Sequence, residues 1–125
     1  MIERKEGDRL YADNRLVVLR TAPFGTIVIS GLIDHRNAGP VARSLASELG
    51  RDGQSPDGEM RHEGDLRVDV THLEFSDVSA IKAIVDVARN AASGRLVLRG
   101  LPAAIVRVMV AVGWSDLPSL VVEEK

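Results

Sequence analysis

The chain has 125 residues, with 16 Lys and Arg against 18 Asp and Glu, and this length is typical of a single domain with its own core. The net charge of -2 and the small aromatic content, one Trp, one Tyr and two Phe, argue against binding to nucleic acid, which needs a basic surface and stacking platforms. Because the chain contains no Cys, it forms no disulfide, thiolate metal site or cysteine nucleophile.

The first elements in chain order are two short runs of Val and Ile, "RLVVLR" and "GTIVIS". A Pro and a Gly separate the two runs, and this pattern predicts a β-hairpin over residues 15–30. The charged residues 1–14 are assigned to an N-terminal extension, and residues 15–125 to a single domain.

The stretch "GLIDHRNAGPVARSLASELG" predicts the first helix. Its apolar residues Val41, Leu45 and Leu49 recur at four-residue steps, which places them on one face of a helix. Asp34 and Asn37 precede this pattern and are candidate N-caps.

The next segment, residues 50–65, contains several Gly, a Pro and many charges, and it has no apolar period. We expect a flexible surface loop there, because the segment has too little apolar surface to bury. After it, "LRVDVTHLEF" alternates apolar and polar residues from Leu66 onwards, and this period of two predicts one strand with one buried face.

The period changes at Ser76, where Ile81, Ile84 and Ala88 begin to recur at helical spacing. "FSDVSAI" is therefore a junction between a strand and a helix. Three more elements follow: a strand in "GRLVLRG", a helix in "LPAAIVRVMVAVGW" with Pro102 near its first turn, and a strand in "SLVVEEK".

The predicted element order is ββαβαβαβ, which indicates an α/β fold with a mixed sheet. Asp34 and Asp77 each follow a strand and precede a helix, so we expect both at the same edge of the sheet. Two carboxylates there would suit acid–base chemistry, but Asp at the start of a helix is more often a cap.

No other pattern points to catalysis, a metal or a cofactor. The three histidines, His35, His62 and His72, have no metal-ligand spacing, and no Gly-rich loop has the residues that bind phosphate. Ser76 and Ser79 lack the flanking glycines of a nucleophile elbow. The sequence therefore predicts a protein that is not an enzyme.

The segments "ISGLIDHRNA", "VDVTHLEFSDVSAIKAIV" and "GRLVLRGLPAAIVRVMVAVGW" resemble the STAS domain of anti-sigma factor antagonists, in order, over residues 17–122. The resemblance depends mainly on three features. They are the group Gly31 to Asp34 after the second strand, the group Phe75 to Asp77 before the second helix, and the third helix that begins at a Pro.

This resemblance implies a bacterial-type signalling module that regulates transcription by protein–protein interaction. We expect it in the cytoplasm, because the absence of Cys is compatible with a reducing compartment. Its partner would be an anti-sigma factor, or a serine kinase with the histidine-kinase-like ATPase fold. The resemblance places partner binding at Asp34, Asp77, Val78 and Ser79. In the family, phosphorylation near the start of the second helix abolishes docking, because a phosphate adds about two negative charges to the interface.

The chain departs from the family pattern in two places. Val78 occupies the position of the usual hydroxyl acceptor, so Ser79, and beyond it Ser76, are the remaining candidates for phosphorylation. The helix that usually follows the last strand is absent. We expect the apolar patch that this helix would cover to be exposed, and such a patch favours a homodimer.

Two alternatives to partner docking stay open. A ligand- or nucleotide-sensing STAS module would bind a small molecule near Asp34 and Asp77, and an enzyme is the third interpretation. We expect no membrane contact, because the chain begins with charged residues and no apolar run approaches the roughly 20 residues of a membrane span.

Overall fold

The computed structural model describes residues 8–21, 26–52, 65–91 and 94–124. Its strands are β1 (Asp8–Ala12), β2 (Leu16–Arg20), β3 (Ile27–Ile33), β4 (Leu66–Asp69), β5 (Leu73–Phe75), β6 (Leu96–Leu101) and β7 (Leu120–Glu124). Its helices are α1 (Ala38–Asp52), α2 (Val78–Arg89) and α3 (Ala103–Ala111), and a short 3₁₀ helix, Trp114–Asp116, follows α3.

All the described strands belong to one mixed sheet with the order β1-β2-β3-β4-β6-β7, in which β5 pairs separately with β3. β1, β2 and β3 pair antiparallel, and the predicted hairpin is the pair of β2 and β3. The remaining pairs are parallel. The mixed α/β sheet with helices that the sequence predicts is therefore confirmed.

The predicted order ββαβαβαβ omits the first strand. β1 lies within the segment that was assigned to the N-terminal extension, and it pairs along β2 from Asp8 opposite Arg20 to Ala12 opposite Val17. "DRLYA" has no alternation that marks a strand, so its extended form depends on pairing with β2. The sheet thus begins before residue 15.

The predicted strand in "LRVDVTHLEF" is two strands, β4 and β5, separated by a turn at Thr71 and His72. The Asp69 carboxylate accepts the Thr71 N–H at 2.9 Å, and the Leu73 N–H bonds to the Val70 carbonyl at 3.0 Å. These bonds bend the chain without moving it away from the sheet, because both strands pair with β3. Alternation alone does not reveal the break.

The hydrophobic core lies on one face of the sheet, between the strands and the helices. Leu66 and Val68 of β4 are buried, whereas Arg67 between them is exposed. Leu45 of α1 and Ile84 of α2 belong to the same buried cluster. The apolar periods in the sequence therefore identify the buried residues of these elements correctly.

The predicted loop over residues 50–65 is only partly described. α1 continues to Asp52, which is inside that segment, and residues 53–64 lie outside the described residues. In the part of the chain that the structure describes, no helix is both long enough and apolar enough to cross a membrane.

Candidate functional site

The start of α2 lies beside the loop that follows β3, at the edge of the sheet where these parallel strands end. Gly31 pairs with Leu73 and Ile33 with Phe75, and the Ser76 N–H donates to the Ile33 carbonyl at 3.0 Å. The pairing brings the segments after β3 and β5 together. It therefore explains the common edge that the sequence predicts for Asp34 and Asp77.

Asp77 is the N-cap of α2. Its backbone is extended (φ -158°, ψ 171°), and its Oδ1 atom accepts the Ala80 N–H at 3.1 Å. This bond satisfies one of the free amides at the start of the helix. The Ser79 hydroxyl donates to the same Oδ1 atom at 2.8 Å. The structure thus confirms that "FSDVSAI" is a junction between strand and helix.

Four consecutive residues at this junction, which we call the α2-start surface, are all exposed: Ser76, Asp77, Val78 and Ser79. The Val78 side chain is 52% exposed and is one of three large apolar side chains that the described residues present to solvent. An aliphatic side chain therefore lies between the capping carboxylate and the hydroxyl of Ser79.

Asp34, by contrast, is only 5% exposed. Its carboxylate accepts the Arg36 N–H at 2.8 Å, the Arg36 guanidinium at 3.1 Å and the Arg15 guanidinium at 2.5 Å. The pKa of Asp34 is lowered to about 2, mainly by the hydrogen bond from the Arg36 N–H. The hydrogen bond from the Arg36 side chain and the charges of Arg36 and Arg15 lower the pKa further, whereas burial of the carboxylate raises it. The carboxylate is thus engaged within the protein.

Asn37 connects the Asp34 loop to the turn between β1 and β2. Its Oδ1 atom accepts the Asp34 N–H at 2.9 Å, and its Nδ2 atom donates to the Leu32 carbonyl at 3.1 Å and to the Asp13 carboxylate at 3.2 Å. Its backbone carbonyl accepts the Val41 N–H at 3.1 Å.

Both predictions of a side-chain cap on α1 are therefore wrong. The side-chain oxygens of Asp34 and Asn37 accept backbone N–H groups of the loop before α1, those of Arg36 and Asp34, and the Asp34 carboxylate also binds the Arg15 and Arg36 guanidinium groups. Asn37 contributes to the start of α1 through its backbone carbonyl instead.

The sequence analysis missed Asp13 and Arg15, although one signal was available. Asp13 lies in "ADNR", and its Oδ1 atom accepts the N–H groups of Arg15 at 2.7 Å and of Leu16 at 2.9 Å, as Asp commonly does in turns. The Tyr11 hydroxyl donates to the Asp13 Oδ2 atom at 2.7 Å. The sequence therefore indicates the turn at Asp13. It does not indicate that Arg15 pairs with Asp34, which lies 19 residues further along the chain.

The histidines are the remaining candidate metal ligands. His35 and His72 are both exposed, and His62 lies outside the described residues. Across the described ranges, no group of three or more His, Asp or Glu side chains is arranged to hold a metal ion.

The seven-stranded mixed sheet with three helices agrees with the fold of a STAS domain. Residues 20–122 match the protein family described as "Mlab, STAS domain", and the chain belongs to this family. A STAS domain is a regulatory or interaction module. No curated protein matches the chain.

Proposed function

We propose that this STAS domain is an anti-sigma factor antagonist that docks on an anti-sigma factor through the α2-start surface. The partner is itself a serine kinase with the histidine-kinase-like ATPase fold, and docking regulates transcription in the cytoplasm. In this proposal the domain is not an enzyme. The exposure of Val78 between polar neighbours is the observation that supports the proposal most directly.

An exposed aliphatic side chain on a helix start suits a protein interface. Burial of the remaining Val78 surface against a partner would contribute about 1 kcal/mol, by the usual value for apolar area. The hydroxyls of Ser76 and Ser79 on either side provide polar contacts for orientation. A small apolar centre with a polar border is the usual arrangement of such interfaces.

Asp34 acts in this proposal as a positioning residue. Its carboxylate is buried and holds Arg15 and Arg36, so it fixes the loop beside the α2-start surface without contact to the partner. The Arg36 side chain is 62% exposed, so a partner can reach it.

Docking in this proposal is independent of the usual phosphorylation control. Val78 offers no hydroxyl at the usual acceptor position, and the Ser79 hydroxyl is bonded to the capping carboxylate of Asp77. A phosphate on Ser79 would therefore lie beside another negative charge.

Ligand sensing remains the alternative, and it requires polar groups at this edge that are free to bind. The Asp34 carboxylate already accepts three hydrogen bonds from Arg15 and Arg36, which favours docking over this alternative. A thermal-shift screen with nucleotides separates the two, because only a ligand of the folded state raises the melting temperature.

The direct test is capture of the partner from a native cell extract, followed by mass spectrometry. We expect the wild-type domain to capture an anti-sigma factor with the ATPase fold, and Val78→Glu to capture little of it. A Glu in the first turn of α2 is compatible with the helix dipole, so the fold should hold. At the interface, the same carboxylate loses its hydration without a partner.

Val110→Glu on α3 is the matched control, because Val110 is also exposed, at 60%, and lies on another helix. This variant should capture the partner as the wild type does, and circular dichroism should show that both variants are folded. Equal capture by Val78→Glu and the wild type would contradict the proposal.

A further inference from the structure

A groove beside β1, the terminal strand of the described sheet, is a further surface that the described residues offer. It has a volume of about 670 Å³ and lies between β1 and α1. Leu10 and Tyr11 line its β1 side, and Pro40, Arg43 and Ser47 are among the residues that line its α1 side. This groove is separate from the α2-start surface.

The β1 side of the groove depends on a β-bulge at Leu10. Arg9 pairs with Leu19 and Tyr11 with Val18, so Leu10 is the extra residue between them. Leu10 and Tyr11, although adjacent in sequence, are both half-buried against the core. Bulges commonly redirect side chains in this way, and here the result is an apolar lining for the groove.

The α1 side follows from helical spacing. Val41 and Leu45 face the core, and Pro40, Ser44 and Ser47 lie on the neighbouring flank of the helix at steps of three and four residues. β1 is the terminal strand of the described sheet, so one edge of its backbone has no partner strand among the described residues. The flank of α1 therefore lies beside a strand edge that no described strand occupies.

Two charged side chains line the groove, Arg43 and Glu48. Its acidic side chain, Glu48, is bonded to Arg20 at 2.7 Å. Arg43 is exposed and forms neither a hydrogen bond nor an ion pair with any described residue. Arg9, which is also exposed, adds a second positive charge at the same edge.

We propose that this groove binds an extended acidic peptide, which adds a strand to the free edge of β1. Backbone hydrogen bonds to a strand edge are available only to another extended chain, and they would provide affinity along β1. Alternate side chains of the peptide would enter the groove against Leu10 and Tyr11, and a carboxylate among them would pair with Arg43. The partner is thus a protein segment that is extended and negatively charged.

A random peptide library displayed on phage, selected against the intact protein, tests this inference. We expect the enriched peptides to be acidic and rich in β-branched residues. In amide hydrogen exchange, such a peptide should protect residues of β1. Arg43→Glu should lower its affinity about tenfold, because a like charge then opposes the carboxylate of the peptide.

Arg107→Glu is the matched control, since Arg107 is an exposed arginine on α3, away from the groove. This variant should bind the peptide as the wild type does. The proposal is overturned if no acidic peptide is enriched, if Arg43→Glu binds with unchanged affinity, or if inorganic phosphate alone protects β1 from hydrogen exchange to the same extent. If a second copy of the chain covers β1 instead, the protection of β1 from hydrogen exchange without peptide would rise with protein concentration. This result would also overturn the proposal.

Discussion

The Ser79 hydroxyl and the N–H of Ala80 share one acceptor, the Oδ1 atom of Asp77, at 2.8 and 3.1 Å. The residue that caps α2 is therefore also the partner of the one hydroxyl in the first turn of the helix. A phosphate on Ser79 would add about two negative charges beside this carboxylate and would weaken the cap.

The first prediction concerns phosphorylation. After incubation with ATP and a serine kinase that modifies other members of the family, the protein should show an unchanged intact mass. Val78→Ser restores a hydroxyl at the usual acceptor position and should gain one phosphate under the same conditions. A stoichiometric phosphate on the wild type that disappears in Ser79→Ala would contradict this prediction.

The second prediction concerns Gly100, whose backbone has φ +89° next to the turn at Thr71. A Cβ atom there would lie 2.2 Å from the Thr71 Oγ1 atom and 3.0 Å from the Thr71 Cα atom. Gly113 has a similar backbone, with φ +83°, but a Cβ atom would meet nothing within 4 Å. The two positions thus separate backbone strain from steric overlap.

We expect Gly113→Ala to lower the free energy of unfolding by about 1 to 2 kcal/mol, from strain alone. Gly100→Ala should cost about 2 kcal/mol more, because Thr71 must also move. Urea denaturation of both variants measures the difference. Equal losses would show that the turn at Thr71 adapts freely.

The third prediction concerns Ile84, which is 1% exposed in the core face of α2. Ile84→Ala should lower the free energy of unfolding by about 3 kcal/mol, through lost burial and the cavity that remains. Lys82→Ala, on the exposed face of the same helix, removes an ion pair with Asp86 and should change stability by less than about 0.5 kcal/mol. Similar urea midpoints for the two variants would contradict the assigned core face.

The fourth prediction follows from the pKa of Asp34, which is lowered from 3.8 to about 2 in the folded protein. Because the folded value lies below the unfolded one, the charged carboxylate stabilises the fold above pH 4, and this stabilisation disappears as the pH falls towards 2. Urea midpoints should fall across this range.

Asp34→Asn should be less stable at neutral pH and should show a smaller loss between pH 4 and pH 2. The lowered pKa values of Asp13 and Asp69 leave part of the pH dependence in the variant. NMR titration of the Asp34 carboxyl carbon provides an independent check. A titration midpoint near 3.8 in the folded wild type would contradict the assigned hydrogen bond from the Arg36 N–H together with the ion pairs of Asp34 with Arg36 and Arg15.

The elements that the sequence predicts correctly are those whose periodicity reflects burial. The repeat of Val41, Leu45 and Leu49 follows α1, and all three residues are buried. Asp77 as a cap and Pro102 before α3 were also visible, because capping and the lack of an N–H are local properties of these residues.

Long-range partners explain what the sequence does not show. β1 is a strand because β2 pairs with it, and "DRLYA" carries no signal of that pairing. Asp34 was predicted as an N-cap, but its carboxylate pairs with Arg15, which lies beside it only after the sheet forms. Local hydrogen bonds at Thr71 and Leu73 separate β4 from β5, but only the pairing of both strands with β3 keeps them in the sheet.

By itself, then, the sequence determined the α/β class, most strands and helices, the capped start of α2 and the Val at the usual acceptor position. The tertiary structure alone decided that Val78 is exposed, that Asp34 is buried against Arg15, and that β1 and α1 form a groove. The physical reason is that periodicity and caps act between residues a few positions apart. Burial, ion pairing and strand edges depend on residues that are distant along the chain and adjacent only in the fold.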